Sequence, residues 1–154
     1  MQMIEATSRC QSLNASQILP KSRHESDDLA SALLSLDLDS VNGKMLVSID
    51  IHKTNEGFWY DSTGQLISYF NWAPDEPDDL GGNNNYAGFR IGGVNETARW
   101  ADYRSTDQLN VVCTKIAGQG KNRILVTNRS YGNSVLKKLF ENNFKWMPKA
   151  KKEI

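Results

Sequence analysis

Hydrophobic and polar positions along the chain change period once. From Gln2 to about Leu13, Ile4, Cys10 and Leu13 recur at helical spacing around Glu5, Ala6 and Arg9, which predicts a short amphipathic helix. Pro20 breaks the chain, and Ser22 followed three residues later by Glu25 forms a capping-box signature. Leu29, Leu33, Leu34 and Leu36 then supply an apolar stripe, so a second helix runs to about Leu36. After the Asn42-Gly43 turn the period becomes two. Residues 44–51 (KMLVSIDI) read as a strand, followed by 57–60 and 65–71 on either side of the turn Asp61-Ser62-Thr63-Gly64. A polar stretch, residues 73–85 (APDEPDDLGGNNN), separates these from short strands at 86–91, 99–103 and 109–114. Two helices followed by short antiparallel strands around one long loop make an α+β domain. Further on, Arg123–Thr127 fits one more strand. Asn133–Met147 fits an amphipathic helix with Leu136, Leu139, Phe140, Phe144 and Met147 on one face, which packs on the domain or, as the alternative, binds a partner; packing is preferred because an exposed Leu/Phe stripe invites aggregation.

Composition narrows the function classes. A chain of 154 residues is one domain by length and can bury a real core. Lys plus Arg equals Asp plus Glu at 18 each, a poor balance for nucleic-acid binding. No apolar run approaches the roughly 18 residues of a membrane-spanning helix. The first residues, MQMIEATSRCQSL, hold polar groups where a signal peptide has its apolar region. The neutral total hides a split. Residues 1–115 carry 16 acidic against 9 basic side chains, and 116–154 carry 9 basic against 2 acidic. A compositional boundary therefore falls near Lys115, with a basic extension at 116–154 that docks on the acidic body, meets an anionic surface or is simply solvated.

Only Cys10 and Cys113 are present, with no CxxC or HxxxH spacing for a zinc site. His24 and His52 stand alone in polar sequence and read as surface histidines. A Cys–His nucleophile lacks a recognisable setting here. The preferred reading is a disulfide closing a loop of about 100 residues, which stabilises by roughly 4–5 kcal/mol in the chain-entropy picture. Three sequons, at Asn14, Asn95 and Asn128, are candidate glycosylation sites. With the even cysteine count they point to an extracellular, oxidising compartment.

The chemistry concentrates in the long loop. Asp75, Glu76, Asp78 and Asp79 place four carboxylates within five residues, and Asn83, Asn84 and Asn85 add amide oxygens. Such a set suits Ca²⁺, which takes six to eight hard oxygen ligands. A cis bond before Pro77 would turn the flanking side chains to one side, and Asp102 could add a carboxylate from a strand. The alternative is an acidic loop that faces water.

The order Trp59, Asp61-Ser62, Gly64, Asn71-Trp72-Ala73-Pro74, Glu76-Pro77-Asp78, Trp100-Ala101-Asp102, Val112-Cys113 resembles the C-type lectin-like domain. Glu5-Ala6 and Cys10 resemble that family's first helix, whose cysteine bonds the last one. The resemblance spans about residues 3–115. It implies a calcium-dependent glycan-binding module with Glu76, Asp78, Asn84 and Asp102 as metal ligands, the same groups hydrogen-bonding sugar hydroxyls. The backbone carbonyl of Asp102 is implied as a further ligand. The departures are specific. Ala101 stands where the family has Asn, and Asn84 is neutral where the family has an acid. Asp78 replaces Asn, so Glu76-Pro77-Asp78 is a hybrid of the mannose-type and galactose-type sequences. Tyr86 and Tyr103 lie near the positions of a missing inner disulfide. The family's first strand is not found ahead of Met1, and Arg123–Thr127 is a candidate replacement. Trp72 is expected in the core rather than as a sugar platform.

Two functions follow. One is glycan or glycoprotein binding through Ca²⁺; the other is calcium-independent recognition of a protein ligand by a decayed site. An enzyme is not expected, since no acid–base pair in an apolar pocket and no phosphate-binding loop is visible.

Overall fold

In a computed structural model of the chain, the described residues are 1–34, 38, 40–92, 98–116, 122–127 and 135–136, with backbone alone from 116 onward. Helix α1 (Met3–Ser12) buries Met3, Ala6 and Cys10, while Ile4 is 57% exposed. The helix is thus turned relative to the stripe expected from Ile4. Cys10 sets that rotation, because it is bonded to Cys113 with the two Cα atoms 5.4 Å apart. Helix α2 (Arg23–Leu34) buries Ser26, Leu29, Ala30 and Leu33, and Leu34 points to solvent. Its start follows the capping signature in part: the Glu25 N–H donates to Ser22 Oγ at 3.1 Å, but the Glu25 carboxylate accepts from the Lys21 N–H.

The strands are β1 (Ser16–Gln17), β2 (Ser40–Val41), β3 (Lys44–Lys53), β4 (Trp59–Tyr60), β5 (Asn84–Ile91), β6 (Arg99–Arg104), β7 (Asn110–Ile116), β8 (Asn122–Thr127) and β9 (Val135–Leu136). They form one mixed sheet in the order β6-β5-β3-β7-β8-β9, with β1 on β7 and both β2 and β4 on β3. The pairing of β3 with β7 is parallel and the others are antiparallel.

Strand β3 shows how the sequence pattern becomes a core. Val47, Ile49 and Ile51 are buried in the main cluster with Leu29, Leu33, Phe89, Ile91 and Trp100. The intervening Ser48 and Asp50 are buried too, so each needs a polar partner. Gln17 Nε2 donates to Ser48 Oγ at 2.9 Å, and Ser62 donates to Asp50 through both its amide and its hydroxyl.

Two expectations change. Residues 65–71 do not form a strand: Leu66 makes a single bridge to Tyr60, and Tyr69 and Phe70 lean on Trp100. Their alternation comes from aromatic packing rather than from a ladder. Lys115, where the composition breaks, lies within β7, and the strand expected at Arg123–Thr127 forms as β8, paired antiparallel with β7 over six residue pairs. Val135 and Leu136, placed at the start of an expected helix, instead pair with β8; the remainder of that helix lies outside the described residues.

Candidate metal centre

The loop reaches its place through Asn71, Trp72 and Ala73. Asn71 Nδ2 donates to the Ala98 carbonyl, and Asn71 Oδ1 accepts from Arg99 Nη1 at 3.0 Å. The Trp100 N–H donates to the Asn71 carbonyl and the Ala73 N–H to the Trp100 carbonyl, each at 2.8 Å. Trp72 packs edge-on against Trp100 and 5.0 Å from Trp59, half-buried as the core reading expected. With Asn71–Ala73 stitched to Trp100, the next turn of chain lands beside Asp102, two residues further along β6.

Glu76-Pro77 is a cis peptide bond. Carboxylate oxygens of Glu76, Asp78 and Asp102 lie within 4.8 Å of one another. These are three of the four residues singled out from sequence. Asp102 is buried and accepts the backbone N–H groups of Asp78 at 3.2 Å and Asp79 at 2.8 Å, so it holds the loop as well as facing the cluster. Asp79 in turn accepts the Asn84 N–H at 2.9 Å and pairs with Lys53 Nζ at 3.5 Å. Asp75 and Asp79 adopt φ of 65° and 47°, a left-handed conformation that Asp tolerates better than most residues.

The electrostatics resemble those of a cation site. Burial pushes the Glu76 carboxyl above the usual carboxylate range, and the facing Asp102 carboxyl pushes it the same way. The Arg90 guanidinium offsets part of this from 3.0 Å away. Two buried oxygens are left without a partner, Glu76 Oε2 and Asn84 Oδ1. Asn84 is only 7% exposed, so water does not easily supply the missing bond. An all-oxygen set with unfilled acceptors fits a hard divalent cation.

Other expectations fall out individually. Ala101 is fully buried opposite Gly88 and brings no oxygen. Tyr86 and Tyr103 face each other across β5 and β6, in register. Asn14 is exposed at the end of α1; Asn95 and Asn128 lie outside the described residues. His24 is an exposed partner of Asp28, whereas His52 is half-buried on β3. Sequence reasoning missed Arg90. Its signal was a lone cation in the apolar alternation of residues 86–91, which a buried strand accommodates only beside a carboxylate.

No family model matches the chain, and no curated protein does. Solved structures match it well. The chain is similar to the C-type lectin CEL-I from Cucumaria echinata, at 24% identity and a TM-score of 0.58 over 73% of this chain and 81% of that one. Human lithostathine matches at 22% identity and a TM-score of 0.59, over 73% of this chain and 74% of that one. The cow C-type carbohydrate-recognition domain of CD23, solved in the presence of a GlcNAc2Man3 oligosaccharide, matches at 23% identity and a TM-score of 0.58 over 76% and 81%. With two helices, a mixed sheet and the Cys10–Cys113 closure arranged as described, the chain has the C-type lectin fold.

Proposed function

We propose that the chain is a carbohydrate-binding domain that uses Ca²⁺, with Glu76, Asp78, Asn84 and Asp102 holding the ion. The observation that carries this is the convergence of the Glu76, Asp78 and Asp102 carboxylates within 4.8 Å, with Glu76 Oε2 buried and without a hydrogen-bond partner. When bound, Ca²⁺ would supply open coordination positions for two neighbouring sugar hydroxyls, since its shell exceeds what four side chains provide. The chain's own residues orient those hydroxyls: carboxylate oxygens accept hydrogen bonds from them. That a cow neighbour was solved in the presence of an oligosaccharide supports the same ligand class here. The buried disulfide and the exposed sequon at Asn14 support an extracellular setting. Among the described residues no helix is long and apolar enough to cross a membrane.

A second reading, calcium-independent recognition of a protein ligand, is favoured by Ala101 and by the Arg90 guanidinium on Glu76. The ligand set is short by one oxygen and one charge, so the expected affinity is in the weak range, about 10⁻⁴–10⁻³ M. Calorimetric titration of the oxidised protein with Ca²⁺, beside Glu76→Gln, separates the two. Saturable binding lost in the variant, with glycan-array signal abolished by EDTA, supports the lectin reading. A flat titration of folded protein sinks it.

A further inference from the structure

We propose that Arg90 is a resident counter-cation of the metal centre, competing with Ca²⁺ for Glu76 and so setting the concentration at which the site loads. The inference rests on the calcium reading above and adds its regulation. Arg90 Nη2 lies 3.0 Å from Glu76 Oε1, with both side chains largely buried at 23% and 11% exposure. Arg90 Nε also reaches the Tyr103 hydroxyl at 3.4 Å, so the guanidinium is held from two sides. The Tyr103 ring edge sits against Gly88, where even a Cβ would come within 2.6 Å, so the ring cannot shift further toward β5.

Two consequences follow for a divalent ion. Arg90 occupies Oε1 and leaves Oε2 as the one open oxygen of Glu76, so bidentate ligation is blocked while the ion pair stands. The guanidinium also places a permanent positive charge beside the site, because arginine stays protonated throughout the accessible pH range. A nearby charge of this kind alters ion affinity by the same physics that moves a neighbouring carboxyl's pKa by one to three units, or roughly tenfold to a thousandfold. At low Ca²⁺ the same contact has a stabilising role. It neutralises a carboxylate that would otherwise be buried against Asp102 with no cation near it.

The test is calorimetric Ca²⁺ titration of the full chain as wild type, Arg90→Met, Arg90→Gln and Arg90→Lys. Near-ultraviolet circular dichroism checks that each variant is folded. Arg90→Met and Arg90→Gln are expected to bind about tenfold more tightly or better. Arg90→Lys, which keeps the charge, should remain near wild type. Melting in EDTA supplies a readout without the ion: Arg90→Met lowers the midpoint, and adding Glu76→Gln restores part of the loss. If wild type binds and the neutral variants bind no tighter, the competition is overturned while the calcium site stands. If wild type is flat and the neutral variants bind, both are supported. Flat titrations for all four overturn both, and the melting cycle then shows the ion pair to be a structural lock only.

Discussion

Asp102 accepts the backbone N–H of Asp79 at 2.8 Å, so one carboxylate both faces the acidic cluster and ties down the loop that carries it. Hydrogen bonds to a charged acceptor contribute about 1.5–3 kcal/mol each. Asp102→Asn retains one acceptor oxygen and leaves the other N–H facing an amide donor. The expected loss is about 2 kcal/mol in metal-free urea unfolding, together with loss of Ca²⁺ binding. A variant with unchanged metal-free stability would separate the anchoring role from the ligand role.

The disulfide is the main covalent restraint on the fold. Cys10 and Cys113 are 103 residues apart in sequence and both fully buried. A cross-link closing a loop of that size stabilises by about 4–5 kcal/mol in the chain-entropy picture. The Cys10→Ala/Cys113→Ala variant should therefore unfold at markedly lower urea, with a midpoint shift corresponding to that range. Reductant should affect the folded wild type slowly, since neither sulfur is accessible.

Asp50 and Asp61 make opposite contributions to the pH dependence of stability. Burial raises the Asp50 carboxyl above its ordinary value, although Ser62 donates to it twice. The folded state therefore binds that proton more readily than the unfolded chain. Its contribution is fully present below the unfolded pKa, near 4, and is lost as pH rises through the folded value. Asp50→Asn should be as stable as wild type or more stable at pH 7, and its stability should fall less between pH 4 and neutrality.

For Asp61, burial alone would raise the carboxyl, but the Thr63 hydroxyl and the amides of Gln65 and Thr63 outweigh it and hold the value low. Its contribution is present above the unfolded pKa and is lost as pH falls through the folded one. Asp61→Asn should cost more stability at pH 7 than at pH 3. Thermal melts of both variants across that range check the two signs together.

Gly88 is required by space rather than by backbone angle. A Cβ there would meet Leu109 Cδ2 and Tyr103 Cε2 at 2.6 Å each. Gly88→Ala must push both side chains outward, with an expected cost of about 1–3 kcal/mol. Gly57, whose Cβ would meet nothing within 4 Å but whose φ is 88°, is a useful comparison. Gly57→Asn, which tolerates that conformation, should cost less than Gly88→Ala in the same unfolding assay.

Much of the architecture was legible in local pattern. The Ser22–Glu25 spacing marked α2, the alternation in KMLVSIDI marked β3, and the rare residues from Trp59 to Cys113 carried the fold and three of the clustered oxygens. These signals work because caps, periodicity and cysteine pairing act over short range or through unmistakable residue types. Tertiary structure decided what depends on neighbours distant in sequence. It turned α1 so that Ala6 rather than Ile4 faces inward, because Cys10 had to reach Cys113. It denied residues 65–71 a ladder and gave their aromatics to Trp100. It also set Arg90 on Glu76 across fourteen residues of chain, a contact that exists only because β5 runs beside the loop pinned by Asp102. Sequence by itself determined which oxygens are available, while packing determined which cation already stands next to them.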